Sequence, residues 1–247
     1  MSRTVVTDIE LRSHWQQTHD KELVIEPGTI LTPAAKDFVR ENGIAVTERK
    51  WSKMSMTPVP RENGHAVFEE ASTGNKVDKK GELMTHLYAN VIVPKTDPRI
   101  AFRGLIDKLE AEILLLECTA EQNGLTRIAS DLGEMLSFTR EILGAEVKNT
   151  PLPSILLLGM DSKEVRETSH SVKEKIGIDH PVPNSSMGTF VLRLNLLRTM
   201  VREAELACVR AFTVNGCCSR EDLVEGLNRL SSCVYIIMCR KLAGYYA

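Results

Sequence analysis

Residues 194–205 read LNLLRTMVREAE. Leu194, Leu197, Val201 and Ala204, continued by Cys208, recur at three- and four-residue steps, the period of a helix turned toward a core. Beside that face Arg198, Arg202 and Glu205 follow one another at steps of four and three, which stacks them along one stripe of the same helix. A charged line at the edge of an apolar face either pairs with another helix or subunit, or binds an anionic ligand. The spacing alone leaves both open.

The same period runs through most of the chain outward from this helix. DPRIAFRGLIDKLEAEILLLECTA (97–120) and GLTRIASDLGEMLSFTREILGA (124–145) repeat it, and DSKEVRETSHSVKEKIGI (161–178) is a more polar amphipathic version. TFVLRLNLLRTMVREAELACVRAF (189–212) contains the opening stretch, and SREDLVEGLNRLSSCVYIIMCRKLAG (219–244) completes a set of five. In the last, Ser219 and Asp222 have the spacing of a capping box, and Gly244 suits a C-terminal stop. Alternating strand patterns of comparable length do not occur after Pro94. The expected fold is an all-α five-helix bundle with a small mixed α/β N-terminal extension.

That extension occupies residues 1–50. In IEPGTILTPAAKDFVRENGIAV (25–46) a Pro27-Gly28 turn is followed by Thr32 as a helix cap, Pro33 at the first helical position, Gly43 as the stop and a short strand. Residues 51–82 are polar, punctuated by Pro and Gly and without a sustained period, and read as a linker or a loop that orders over a ligand. Residues 83–247 form the bundle domain.

Bulk properties bound the function. Of 247 residues, 43% are hydrophobic and 26% charged, ordinary values for a globular protein, and a net charge of −2 provides no footprint for nucleic acid or an anionic membrane. The N-terminal MSRTVVTDIELRS lacks an apolar signal core, and runs such as ILLLGM are too short to span a bilayer, so a cytoplasmic protein is expected. The six cysteines form no CxxC pair and read as small hydrophobes rather than a disulfide framework.

Motifs with built-in chemistry are scarce. P-loop, GxGxxG and HExxH patterns are absent. Glu167 to His170 is a Glu-x-x-His on a helical stretch; the other such spacing, Glu62 to His65, falls in the unperiodic segment 51–82 rather than on a second helix as a di-iron bundle needs, and Glu167–His170 reads as a solvated face. Lys95, Asp97 and Arg99 cluster around Pro94 and Pro98 where a helix begins, a pattern that an ordinary N-terminal cap also explains. In the last helix Asn228 and Arg229 interrupt Leu227, Leu230 and Val234; Asn disfavours helix interiors, which points to an amide in use.

Together PKTDPRIAFRGLIDKLEA (94–111), VPNSSMGTFVLRLNLLRTMVREAE (182–205) and LNRLSSCVYIIM (227–238) resemble the corrinoid adenosyltransferases, in that family's order. The resemblance covers roughly residues 83–244. The N-terminal module and THLYANVIVPKTDPR (85–99) bring the chain nearest the ethanolamine-utilization type. The resemblance implies a homotrimer with active sites between subunits. It also implies a reaction in which the cobalt of cob(I)alamin attacks the 5′ carbon of ATP, releasing triphosphate and giving adenosylcobalamin. So strong a nucleophile needs no general base; the protein's tasks are positioning, stabilising the leaving group and keeping the cobalt dry.

Residue by residue, the resemblance makes Arg202 and Glu205 the catalytic pair. Arg202 contacts the nucleotide, Glu205 lies on the ribose side, and Lys95 and Asn228 complete the nucleotide site, with Arg99 a weaker match of open role. Arg198 is implied to pair with Asp107 across the subunit seam. Three departures stand out. The family's glycine-rich ATP loop is replaced by KKGELMTHL (79–87), which leaves the cradle for the triphosphate and its Mg2+ unassigned. The His and Cys metal motif of many ethanolamine-type members reduces to His65, with VDKK (77–80) in place of cysteines, and no cysteine precedes Cys118. No metal site and no structural transition metal are therefore expected. Where the propanediol type closes the lower corrinoid face with an aromatic, IDHPVP places His180 close to the corrinoid.

The implied partners are a corrinoid reductase and an adenosylcobalamin-dependent ammonia-lyase, with association to a bacterial microcompartment, and neither nucleic acid nor membrane. The alternative readings are a non-catalytic corrinoid carrier or delivery protein, and a purely structural trimeric bundle.

Overall fold

The computed structural model describes residues 5–19, 21–25, 29–48, 61–62, 65–214 and 216–246. By its internal contacts the chain divides into two compact units, Met1–Ser52 with Val214–Cys217, and Lys53–Thr213 with Cys218–Ala247.

The first unit carries helices α1 (Asp8–Thr18) and α2 (Pro33–Glu41). Two short parallel pairings accompany them, Val5–Val6 with Ile30–Leu31 and Glu22–Ile25 with Ala45–Glu48. As the sequence implies, Thr32 accepts the Ala35 N–H at 3.2 Å, Pro33 opens α2, and Gly43 takes φ +64° just past its end. Leu11, Ala35, Phe38 and Val39 form a small core, with Trp15 edge-on to Phe38. The expected Pro27-Gly28 turn lies outside the described residues.

The second unit is built on four long helices: α3 (Pro98–Gln122), α4 (Thr126–Val147), α7 (Gly188–Phe212) and α8 (Glu221–Leu242). Between α4 and α7 the chain forms a two-stranded hairpin, Leu156–Leu157 with Met160–Asp161, and then the short helices α5 (Ser162–His170) and α6 (Val172–Lys175). Helix α3 packs on α4 and α7, α7 on α8, and α8 on α4, while α5 adds the fifth member by packing on α8. Phe102, Ile106, Leu109, Ile113, Leu116 and Ala120 bury one face of α3, each large side chain contributing roughly 1.5–3 kcal/mol. Gly226 permits the approach of α8 to α4, since a Cβ there would fall 2.6 Å from Leu152 Cδ2 and 3.5 Å from Phe138 Cζ.

Three local features differ from the sequence pattern. The described part of 51–82, read as linker, contributes strands Phe68–Glu70 and Lys76–Val77; with Met84–Tyr88 and Val91–Pro94 they make one four-stranded mixed sheet. Strands of two or three residues are too short for alternation to register. The amphipathic pattern over 161–178 breaks at Ser171, where ψ is +47°, into α5 and α6. Ser219 does not cap α8; its hydroxyl donates to the Phe212 carbonyl, and Asp222 accepts instead from Arg220 and the Leu152 N–H. A true capping box forms at α5, between Asp161 and Glu164.

Two arginines near the start of α3 fix the sheet and the helix entrance. Asp97 caps α3 by accepting the Arg99 N–H at 2.9 Å, and it also receives the Arg99 guanidinium at 2.9 and 2.7 Å. The side-chain bond from Arg99 is the largest of the influences that hold the Asp97 carboxyl below its usual range. One turn on, Arg103 donates to both oxygens of Glu146 on α4, at 2.7 and 3.1 Å, and to the Leu87 carbonyl at 2.8 Å. The Glu146 side chain is 4% exposed, so this pair ties strand Met84–Tyr88 to two helices from within the protein.

Glu146→Ala leaves the Arg103 guanidinium without its counter-charge, and is expected to cost about 3 kcal/mol in denaturant unfolding. The Arg103→Met, Glu146→Met double variant should recover most of that loss; a single-variant loss under about 1 kcal/mol would refute the clamp. A depressed carboxylate pKa stabilises the fold at neutral pH and ceases to do so as pH falls through the folded-state value. Asp97→Asn should therefore lower Tm at pH 7, with the difference from wild type closing below about pH 4. A difference independent of pH would assign the loss to packing instead.

Candidate functional site

The stripe on α7 divides between two clefts. Buried Leu194, Leu197, Val201 and Ala204 hold α7 against its neighbours, and the charged residues emerge along its seam with α8. Glu205 opens into a cleft of about 430 Å³, with Val209 and Val224 as apolar walls and Glu221, Glu225 and Asn228 around them. Arg198 and Arg202 open into a second cleft of about 360 Å³, lined also by His170, His180, Ser231 and Tyr235. Because Arg202 precedes Glu205 by less than one turn, and Asn228 precedes Ser231 by the same interval, the two clefts adjoin along one groove.

In the first cleft Asn228 donates to Glu205 Oε1 at 3.0 Å, joining the two helices. Its own carbonyl accepts from Arg229 Nη1 at 2.6 Å. Arg229 is only 9% exposed; its Nε donates to Ser162 Oγ at 2.9 Å, and Glu225 lies 3.7 Å from Nη2. Ser162 in turn donates to Glu225 at 2.5 Å. Carboxylates, an amide and two branched aliphatic walls suit a neutral, hydroxyl-bearing group with an apolar ring, such as a nucleoside.

The second cleft is cationic. Arg202 is exposed and has no hydrogen-bond or ion-pair partner among the described residues, which leaves its fork available to an anion. Arg198 makes one long hydrogen bond, to Asn195 at 3.3 Å, and lies 5.9 Å from the centre of the Tyr235 ring. His180 Nδ1 is 2.7 Å from the Tyr235 hydroxyl, and the two rings stack with an interplanar angle of 14°. Partial burial, reinforced by neighbouring Cys239, pushes the Tyr235 phenol up to about 12, so it stays protonated and able to donate. His180 and Tyr235 thus present a flat wall.

The remaining expected residues lie elsewhere in the chain. Lys95 and Arg99 line neither cleft; Lys95 is exposed in the turn before α3, and Arg99 is committed to Asp97. Asp107 is exposed on α3 and has no partner among the described residues, and within one chain it does not meet Arg198. The side chain of His65 lies outside the described residues, and Val77 of the VDKK segment pairs with Phe68 in the sheet. Among the described residues no group of His, Cys, Asp and Glu could hold a metal ion. No helix of the described structure is long and apolar enough to cross a membrane.

Tyr235 and the Arg229–Ser162–Glu225 group were not read from sequence as site residues. Tyr235 occupies an apolar run, and its pairing with His180 spans 55 positions. Arg229 did stand out as a polar residue among leucines, a signal that a buried guanidinium has partners.

Residues 76–241 match the family model described as cobalamin adenosyltransferase. The corrinoid adenosyltransferase EutT of Salmonella typhimurium is 36% identical, over 96% of this chain and 92% of the relative. The protein of the same name from Escherichia coli K12 is 29% identical, over 94% and 90%. The corrinoid adenosyltransferase PduO of Salmonella typhimurium is 26% identical over 62% of this chain and 45% of its own length. No solved structure gives a significant match. The chain belongs to the cobalamin adenosyltransferase family.

Proposed function

We propose that this protein is an ATP:cob(I)alamin adenosyltransferase of ethanolamine catabolism, and that the groove between α7 and α8 holds both substrates. The observation that carries the reading is the pair of adjoining clefts of opposite character. A reaction that joins C5′ of a nucleotide to cobalt needs a nucleoside subsite and a corrinoid subsite side by side. The first cleft, with Glu205 and Asn228, receives the ribose; His180 and Tyr235 of the second face the corrinoid; Arg202, in the lining of the second and less than one turn from Glu205, meets the phosphate chain as it leaves the ribose.

In the reaction the electron pair of Co(I) attacks C5′ of ATP. A cobalt–carbon bond forms, the C5′–oxygen bond breaks, and triphosphate departs with that bonding pair as negative charge. Arg202 stabilises the growing charge on the leaving oxygens, and Glu205 with Asn228 fixes the ribose so that C5′ faces the metal. Lys95 contributes a further cation to the triphosphate, with Arg99 behind it, and Mg2+ brought by the nucleotide would share in neutralising its phosphates. A homotrimer brings these parts together: Asp107 of one subunit meets Arg198 of the next. Exposed Leu114 and Leu115 on α3 and Leu196 and Leu206 on α7 support such packing, since the two helices are neighbours and both present leucines outward. A corrinoid reductase supplies the reduced substrate, and an adenosylcobalamin-dependent ammonia-lyase, which a microcompartment would keep close, uses the product.

The test is an anaerobic assay with MgATP and chemically reduced cobalamin, following adenosylcobalamin by its visible spectrum. Adenosylcobalamin and triphosphate are expected in equal amounts; a wild-type protein that binds corrinoid yet makes none would be a carrier. Arg202→Ala should lower kcat/KM for ATP by about a hundredfold while corrinoid binding stays close to wild type. Unaltered turnover in that variant would remove Arg202 from the site.

A further inference from the structure

We infer that Arg229 is a positioning residue for nucleotide binding, setting the amide of Asn228 and through it the carboxylate of Glu205; the inference rests on the proposed nucleotide reading of the first cleft.

The argument begins with donor and acceptor chemistry. A guanidinium can only donate and an ionised carboxylate can only accept, whereas an amide does one at each end. Asn228 lies between the two, with its oxygen 2.6 Å from Arg229 Nη1 and its nitrogen 3.0 Å from Glu205 Oε1. Reversing the amide would break both bonds and set like against like at each end. Arg229 therefore selects one orientation. Among the described residues, that orientation leaves the second amide N–H of Asn228 and the second carboxylate oxygen of Glu205 unspent, a donor and an acceptor beside one another in the same cleft. Two neighbouring hydroxyls of a ribose present the matching pair, since each hydroxyl both donates and accepts.

Arg229 is itself fixed. Its Nε reaches Ser162 Oγ at 2.9 Å, at the first residue of α5, and Glu225 supplies counter-charge at 3.7 Å. Only a planar fork meets Ser162 and Asn228 at once; a lysine ammonium has the charge without the span. Arg229 is 9% exposed and contributes an edge to the cleft, but it has no direct hydrogen bond to Glu205, so its influence on that carboxylate passes through the amide.

The test compares MgATP with Mg-2′,3′-dideoxyATP, which lacks both ribose hydroxyls, by calorimetry on the full-length protein without corrinoid. Arg229→Lys should weaken MgATP binding about tenfold and leave dideoxyATP binding within about twofold of wild type. At saturating ATP, kcat should fall less than about threefold, so the loss appears in KM. Ser162→Ala, which keeps the arginine and removes one of its anchors, should weaken MgATP a few-fold with the same selectivity, and it serves where Arg229→Lys does not fold. Equal losses for both nucleotides, unaltered ATP binding, or a loss confined to kcat would overturn the inference. An active wild type with any of those results refutes the positioning role alone; a wild type that binds no nucleotide removes the reading beneath it as well.

Discussion

The structure depends on α7 being buried on two sides. Packed against α3 and α8 at once, it buries Val191, Leu194, Leu197, Met200, Val201, Ala204, Ala207 and Cys208, which leaves its polar residues only the margins of those contacts. A charged side chain at such a margin is anchored by a backbone that cannot shift without opening the core. The seam with α8 thus becomes a rigid bed on which Arg198, Arg202 and Glu205 are spaced by helical pitch rather than by loop conformation. Opposite charges less than one turn apart then fall into different clefts, because α8 brings Asn228 to one and Tyr235 to the other.

Around that bed, polar groups are held in chains rather than as isolated pairs. Arg103 links a strand and two helices, Arg220 joins the end of α4 to the start of α8 through the Ala145 and Thr150 carbonyls, and Arg229 joins α5 to the cleft of Glu205 and Asn228. In each case the guanidinium reaches an acceptor that lies far from it in sequence. Buried ionic groups of this kind add little net stability over apolar replacements, but removing one partner is costly. Their effect is to restrict the arrangements open to the helices.

How much of this was legible follows from range. The four long helices announce themselves because apolar residues at three- and four-residue steps are a local signal, and the stripe on α7 and the amide at Asn228 are local anomalies within it. The family resemblance then assigns roles that spacing alone leaves open. The sheet over residues 68–94 was missed because its strands run two to five residues, too short for alternation to register, although two of its three pairings join consecutive strands. The break at Ser171 and the failure of Ser219 to cap α8 were hidden for a related reason: each is decided by tertiary partners, in the second case by Arg220 taking Asp222. Arg103 with Glu146, 43 positions apart, and His180 with Tyr235 could not be paired from one sequence at all.

Lys95 illustrates what such a scaffold does for a flexible residue. Its backbone N–H is bonded to the Leu83 carbonyl at 2.8 Å, and two residues later Asp97 N–H returns to Pro94. Arg99, four residues on, already has its charge matched by Asp97. The ammonium is thus tethered at its root and, among the described residues, has no partner at its tip. An incoming polyphosphate would have to quench only the rotamers of one side chain, roughly 1.5–2 kcal/mol, rather than the wandering of a glycine-rich loop. The strand-to-helix corner would then substitute a prepaid backbone for the flexible cradle that this chain lacks.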